Sequence, residues 1–130
     1  MALSTPVKAL LARLDRVLNQ RCPYFGAARP RVRDQDMNIV PGGIVEQFRQ
    51  AFSNVLATLE AAGGRPEELV SVTIYLTDVD DYMAHGREIG RLWREMAGTG
   101  YPAMAGIGVS RLWQKEALIE IQGVAVISAA

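Results

Sequence analysis

The sequence predicts an α+β domain, a sheet with its helices packed on one face. Three observations carry that reading. Residues 44–62 set Ile44, Phe48, Ala51, Phe52, Val55 and Leu59 on one helical stripe. Residues 69–77 (LVSVTIYLT) alternate apolar and polar side chains at the period of a strand. After a further helical stretch come two extended apolar runs, 103–109 and 117–127, so the order from residue 44 is α-β-α-β-β.

Taken in order, the elements have local causes. Thr5-Pro6 is a helix start, a hydroxyl N-cap followed by proline at the first helical position. Val7, Leu10, Leu11, Leu14, Val17 and Leu18 then share a face, which predicts an additional N-terminal helix over 6–19. Residues 20–43 are punctuated by Pro23, Gly26, Pro30, Pro41 and Gly42-Gly43 and read as irregular, with at most one short strand near 37–40. Gly63-Gly64 stops the helix over 44–62. In the strand over 69–77, Val70, Val72, Ile74 and Leu76 form the inward face, and Ser71, Thr73, Tyr75 and Thr77 a wet or partner-facing one. Asp78 and Asp80 offer caps for a helix over about 80–97, with Tyr82, Ile89, Leu92, Trp93 and Met96 inward. Gly98, Gly100 and Pro102 break the chain. The runs 103–109 and 117–127, joined by SRLWQKE, read as antiparallel neighbours. In the second run Ile119, Ile121, Gly123, Ala125 and Ile127 share one face, and Leu118, Glu120, Gln122, Val124 and Val126 the other.

Composition narrows the function classes. A length of 130 residues suits one domain, 1–130. One cysteine, Cys22, cannot close an internal disulfide, which fits a reducing compartment and predicts a cytoplasmic protein. One Cys and one His cannot supply a structural zinc site, so no metal is expected. No apolar run approaches the ~20 residues that span a bilayer, and no signal-peptide pattern is evident, so no membrane partner is expected. Lys+Arg and Asp+Glu balance at 14 each, which points away from nucleic acid and toward an oligomer that buries surface. The balance conceals an asymmetry. Residues 1–35 hold seven basic groups against two acidic, a net of +5, and residues 36–130 hold seven against twelve, a net of −5. Either the basic segment lies on an acidic surface of its own or a neighbouring chain, or it is a nucleic-acid arm. Within the run Arg29, Arg31 and Arg33 no aromatic side chain is interleaved as a base-stacking platform requires.

From Gly42 to Ile127 the sequence resembles the reactive-intermediate deaminase (Rid, also called YjgF or endoribonuclease L-PSP-like) family. The matching stretches are Gly42-Gly43-Ile44 with Glu46-Gln47, Asn54-Val55-Leu56, Ala61-Ala62-Gly63, and Val72-Thr73-Ile74-Tyr75-Leu76-Thr77-Asp78 with Asp81-Tyr82. Tyr101-Pro102-Ala103, Val109-Ser110-Arg111-Leu112 and Ile119-Glu120-Ile121 with Ala125 follow in family order. Pro23-Tyr24 resembles the family's N-terminal Pro-Tyr. The resemblance implies a chorismate-mutase-like α+β fold, a mixed sheet with two helices packed on one face, assembled as a homotrimer with ligand clefts between subunits. It implies hydrolysis of enamine or imine intermediates of small organic acids to a keto acid and ammonia, without cofactor. An arginine forks onto the substrate carboxylate, and a glutamate activates water against the C=N carbon.

Two departures follow from the same resemblance. Pro102-Ala103 is followed by Met104 where active members carry the arginine, and Gly106 stands where a cysteine is frequent. Only residues 25–41 separate the Pro-Tyr from the Gly-Gly-Ile, too few for the family's substrate-binding hairpin, so residues 1–41 form a divergent N-terminal segment. Glu120 matches the family glutamate and is the candidate catalytic residue; the competing reading pairs it with an arginine across the trimer seam. Tyr24, Met104 and Gly106 are candidate substrate-binding positions by resemblance. Arg29, Arg31 and Arg33 either replace the missing arginine as an anion clamp or form a solvated basic loop. Among single residues, His85 reads as solvent-facing rather than a general base, Cys22 as a packed residue, and Trp93 and Trp113 as core or interface anchors. A non-catalytic trimer that binds a metabolite or protein is the alternative function.

Overall fold

The computed structural model describes the backbone of residues 24–25 and residues 38–128. The predicted helix 6–19, Cys22 and Arg29, Arg31 and Arg33 lie outside the described residues.

Helix α1 (Ile44–Ala61) forms where the apolar stripe predicts it, and Ile44, Phe48, Ala51, Phe52, Val55 and Leu59 are all buried. At its start the Glu46 carboxylate accepts the Gly43 N–H at 2.9 Å, satisfying a donor ahead of the first turn. Its end depends on two glycines. Gly63 sits at φ +83°, and a Cβ on Gly64 would stand 2.4 Å from Leu59 Cδ1 and 3.0 Å from Ile127 Cγ1. A side chain at either position would therefore be strained or would push against the core.

A single 3₁₀ turn over Pro66–Glu68 leads into β2 (Leu69–Leu76). With β1 (Tyr24–Phe25), β3 (Ala103–Gly108) and β4 (Ile119–Ala125) it makes a four-stranded sheet in the order β1-β4-β2-β3. β2 runs parallel to β3 and antiparallel to β4, and β1 pairs antiparallel with β4, so the sheet is mixed. Helices α2 (Val79–Ala84) and α3 (Gly86–Ala97) form the crossover between the parallel strands β2 and β3.

Four details of the sequence reading change. The runs expected to be neighbours, β3 and β4, flank β2 on opposite sides; the helical crossover delivers β3 parallel to β2, and the link to β4 then crosses the end of β2 instead of turning as a hairpin. The helix expected over 80–97 starts at Val79 and breaks at His85, where the backbone leaves the helical region (φ −100°, ψ 12°) just before Gly86. Asp78 caps the first piece by accepting the Asp81 N–H at 3.0 Å, as expected. Val70 faces outward, because two steps along β2 from Leu69 to Ser71 oppose one step along β4 from Ala125 to Val124. That bulge turns Leu69 inward in its place. Within 20–43, expected to be irregular, Tyr24 and Phe25 pair with Val124 and Gly123 as an edge strand, and Ile39 makes an isolated bridge within the 37–40 window.

The core lies between the helices and one face of the sheet. Phe48, Phe52, Leu59, Leu92, Val72, Leu76, Ile119 and Ile121 are its largest fully buried side chains. Trp93 of α3 stacks on Phe52 at 4.3 Å and on Tyr101 at 5.7 Å, and Phe52 tilts against Phe48 at 5.5 Å. This aromatic ladder locks α3 onto α1. The Trp93 Nε1–H has no hydrogen-bond partner among the described residues, so ring stacking and burial hold the side chain. No helix of the described residues is long and apolar enough to cross a membrane.

Candidate functional site

Opposite the helices, the sheet presents a second face built from alternate residues of β2 and β4. Tyr75 pairs with Glu120, Thr73 with Gln122, and Ser71 with Val124. All six are half-buried, in contrast to the inward rows of the same strands. Glu120 is thus an acid on the polar side of a strand whose other side is core, which is how a carboxylate is kept at a sheet without burial in apolar surroundings. Beside it the Tyr75 hydroxyl donates to Gln122 Oε1 at 3.3 Å.

The connection from β3 to β4 arches over the C-terminal end of β2 and is clasped at both ends. The Val109 N–H donates to the Leu76 carbonyl at 2.8 Å, and the Leu118 carbonyl accepts the Thr77 N–H at 3.1 Å. A buried glutamine of α1 holds it from below: Gln47 Nε2 donates to the Glu116 carbonyl at 3.1 Å, and Gln47 Oε1 accepts the Leu118 N–H at 2.8 Å. Gln47 is 3% exposed, and these two bonds satisfy both ends of its amide. The middle of the arch, Arg111, Leu112 and Trp113, together with Tyr75 and Glu120, lines a cleft of about 540 Å³. Trp113 is 76% exposed, while Leu112 packs its other side against the core.

The structure therefore brings Glu120 together with Tyr75 and with three residues of the arch to which sequence reasoning gave no binding role. Arg111 carried two signals, its place in the family-matched Val109-Ser110-Arg111-Leu112 and a cation in the link between runs read as antiparallel neighbours. Met104 and Gly106 fall elsewhere in the subunit: they are in register with Val72 and Ile74, on the helix-facing side of the edge strand, and do not line this cleft. A Cβ on Gly106 would approach only Leu76 Cδ1, at 4.0 Å, and Met104 is 42% exposed. Tyr24 lies in β1, paired with Val124 two residues beyond Gln122. Arg29, Arg31 and Arg33 lie outside the described residues.

A second concavity of about 590 Å³ lies on the outer side of α2 and α3, lined by His85, Arg87, Glu88, Arg91 and Arg94 among others. His85 Nδ1 lies 2.8 Å from the Asp81 carbonyl, and that hydrogen bond raises its pKa above the usual imidazole value. Arg91 lies 3.9 Å from both Glu88 and Glu95. Among the described residues no three His, Cys, Asp or Glu side chains gather as a metal site would require.

Comparison with known proteins agrees with this architecture. The profile of the Endoribonuclease L-PSP family matches residues 28–127. The chain is 39% identical over 87 residues to a RutC family protein of Pyrococcus horikoshii, covering 67% of this chain but only 65% of that relative, just under two thirds of its length. It is 33% identical over 96 residues to the 2-iminobutanoate/2-iminopropanoate deaminase of Dermatophagoides farinae, covering 74% of this chain and 70% of the relative. The crystal structure of E. coli TdcF with bound serine superposes with a TM-score of 0.63 at 28% identity, over 72% of each chain. The chain belongs to the Rid/YjgF family of L-PSP-like proteins.

Proposed function

We propose that this protein is a Rid-type hydrolase of the cytoplasm, acting on the enamine or imine of a small organic acid in a cleft between the subunits of a homotrimer. One observation carries the reading: a family-matched carboxylate, Glu120, shares a cleft with Tyr75 on the open face of the sheet. The deaminase name of a relative and the serine held by TdcF point the same way, toward ligands with an amino-acid skeleton. The trimer is supported by β3, an edge strand exposed along its length that carries Met104 and Ile107, each 42% exposed. In such an assembly a neighbour's edge brings Met104 and Gly106 to the seam, and Tyr24, Arg29, Arg31 and Arg33 are candidates for the cleft wall.

The chemistry needs only water and a positioned base. An enamine first tautomerises to its imine. Glu120 takes a proton from water as the oxygen bonds to the imine carbon, and the C=N π electrons move to nitrogen. Nitrogen then gains the proton held by Glu120, giving a carbinolamine; its O–H proton is relayed through the same carboxylate to the nitrogen, and the C–N bond breaks with release of ammonia as C=O forms. The products are a keto acid and ammonia, with no cofactor.

The test is the release of ammonia and pyruvate from 2-aminoacrylate generated in situ. The wild type accelerates release, and Glu120→Gln lowers kcat by about 10²-fold or more. A wild type no faster than buffer overturns the reading. It would favour instead a trimer that binds a metabolite or protein without catalysis, a reading that Met104 in the arginine's place supports.

A further inference from the structure

We propose that Arg111 is the carboxylate-binding fork of this cleft, and that Trp113 and Leu112 select substrates bearing a bulky apolar or aromatic side chain. The proposal rests on the reading that the Glu120 cleft is the active site, and it replaces the clamp sought in residues 29–33.

A cleft that handles an imino acid needs a cation for the carboxylate and a base near the C=N carbon. Arg111 and Glu120 line one cavity, contributed by the arch and by the first turn of pairing in β4. Among the described residues Arg111 forms no ion pair, in contrast to Arg91, so none of their carboxylates holds its guanidinium. Guanidinium stays charged at any physiological pH and offers parallel N–H donors that match a carboxylate. Its backbone is held rather than free. The arch is tied to Leu76 and Thr77 at its two ends and to Gln47 beneath, which limits the entropy lost when the fork closes on a ligand.

Size and lining set the rest of the substrate. One subunit's share of the cleft, about 540 Å³, is already in the range that holds ligands of drug size, so it has room for more than a three-carbon acid. The remaining wall is apolar and aromatic. Trp113, 76% exposed beside the cavity, gives a flat surface whose cover by a ligand would be favourable, and Leu112 continues it toward the core. Carboxylate at Arg111, imine carbon near Glu120 and side chain on Trp113 together describe the imines of large apolar amino acids.

The experiment compares imines generated in situ by an amino-acid oxidase from phenylalanine and from alanine, following keto-acid release. The wild type should favour the phenylalanine-derived imine in kcat/KM by about tenfold or more, and Trp113→Ala should bring the two substrates close to parity. Arg111→Ala should lower kcat/KM by about 10²-fold on both substrates, mainly through KM, with only partial recovery in Arg111→Lys. Binding of phenylpyruvate and of pyruvate, read from tryptophan fluorescence, gives a second measure independent of turnover. The wild type should bind phenylpyruvate more tightly, and Arg111→Ala should lose that binding. Wild-type kinetics and binding in Arg111→Ala, or their loss only in an Arg29→Ala/Arg31→Ala/Arg33→Ala variant, overturn the assignment of the fork while leaving the hydrolase reading intact. Equal preference for the two substrates in the wild type overturns the selectivity. Full activity in Glu120→Gln would sink the underlying reading instead, and the binding arm would then decide on Arg111 alone.

Discussion

Glu68 shows how much one side chain can tie together. Its Oε2 accepts the Arg65 N–H at 2.9 Å and its Oε1 accepts the Ser128 N–H at 2.8 Å, so it joins the turn before β2 to the chain after β4. The Ser128 N–H is the main cause of a pKa below the ordinary carboxylate value, with burial opposing it and the Arg65 N–H adding to it. A carboxyl depressed in the folded state stabilises fully above its unfolded pKa of about 4.3, and the contribution disappears as pH falls through the lower folded value. Urea midpoints should therefore hold steady near neutrality and fall in the acid range. Glu68→Gln should lower the midpoint at neutral pH and flatten the acid fall; an unchanged pH profile would remove Glu68 as the cause. Glu120 could be singled out in the sequence because it matches the family's glutamate in Ile119-Glu120-Ile121. Glu68 could not, because Ser128 is sixty positions away and nothing local marks the pairing.

Periodicity is a local property, and the elements that depend on it were legible: the stripe of α1, the alternation of β2 and β4, and the Asp78 cap. Which strand lies beside which is not local. It is decided by the α2–α3 crossover, and reading β3 and β4 as a hairpin hid the arch and with it half of the cleft. The break at His85 was also missed, since an apolar pattern that keeps its phase does not show a change of backbone angle. The arch makes Gln47 a positioning residue. Gln47→Met removes both of its hydrogen bonds and leaves the Glu116 carbonyl and the Leu118 N–H without them, which should cost about 1–3 kcal/mol in urea unfolding. If the arch carries the substrate fork, the same variant should raise KM more than it lowers kcat. Unchanged KM together with lost stability would make Gln47 structural only.

At the scale of the whole molecule, β3 contrasts with β2 and β4, each of which buries one face. All six of its residues are exposed, and its outer edge has no strand beside it among the described residues. In the proposed trimer this edge is covered, so Ile107→Lys should shift the mass measured by light scattering from three chains toward one; a trimer unaffected by this charge would place the seam elsewhere. Family and fold class were legible from ordered motifs spread over two thirds of the chain, while the make-up of the cleft depended on three residues of one loop. The aromatic ladder has a practical consequence. The chain has two tryptophans. One is sealed between Phe52 and Tyr101, and the other stands in solvent at the mouth of the cleft. The protein thus carries two built-in optical reporters with opposite access to a soluble quencher: Trp93 reports unfolding of the core, and Trp113 reports the surroundings of the cleft it lines.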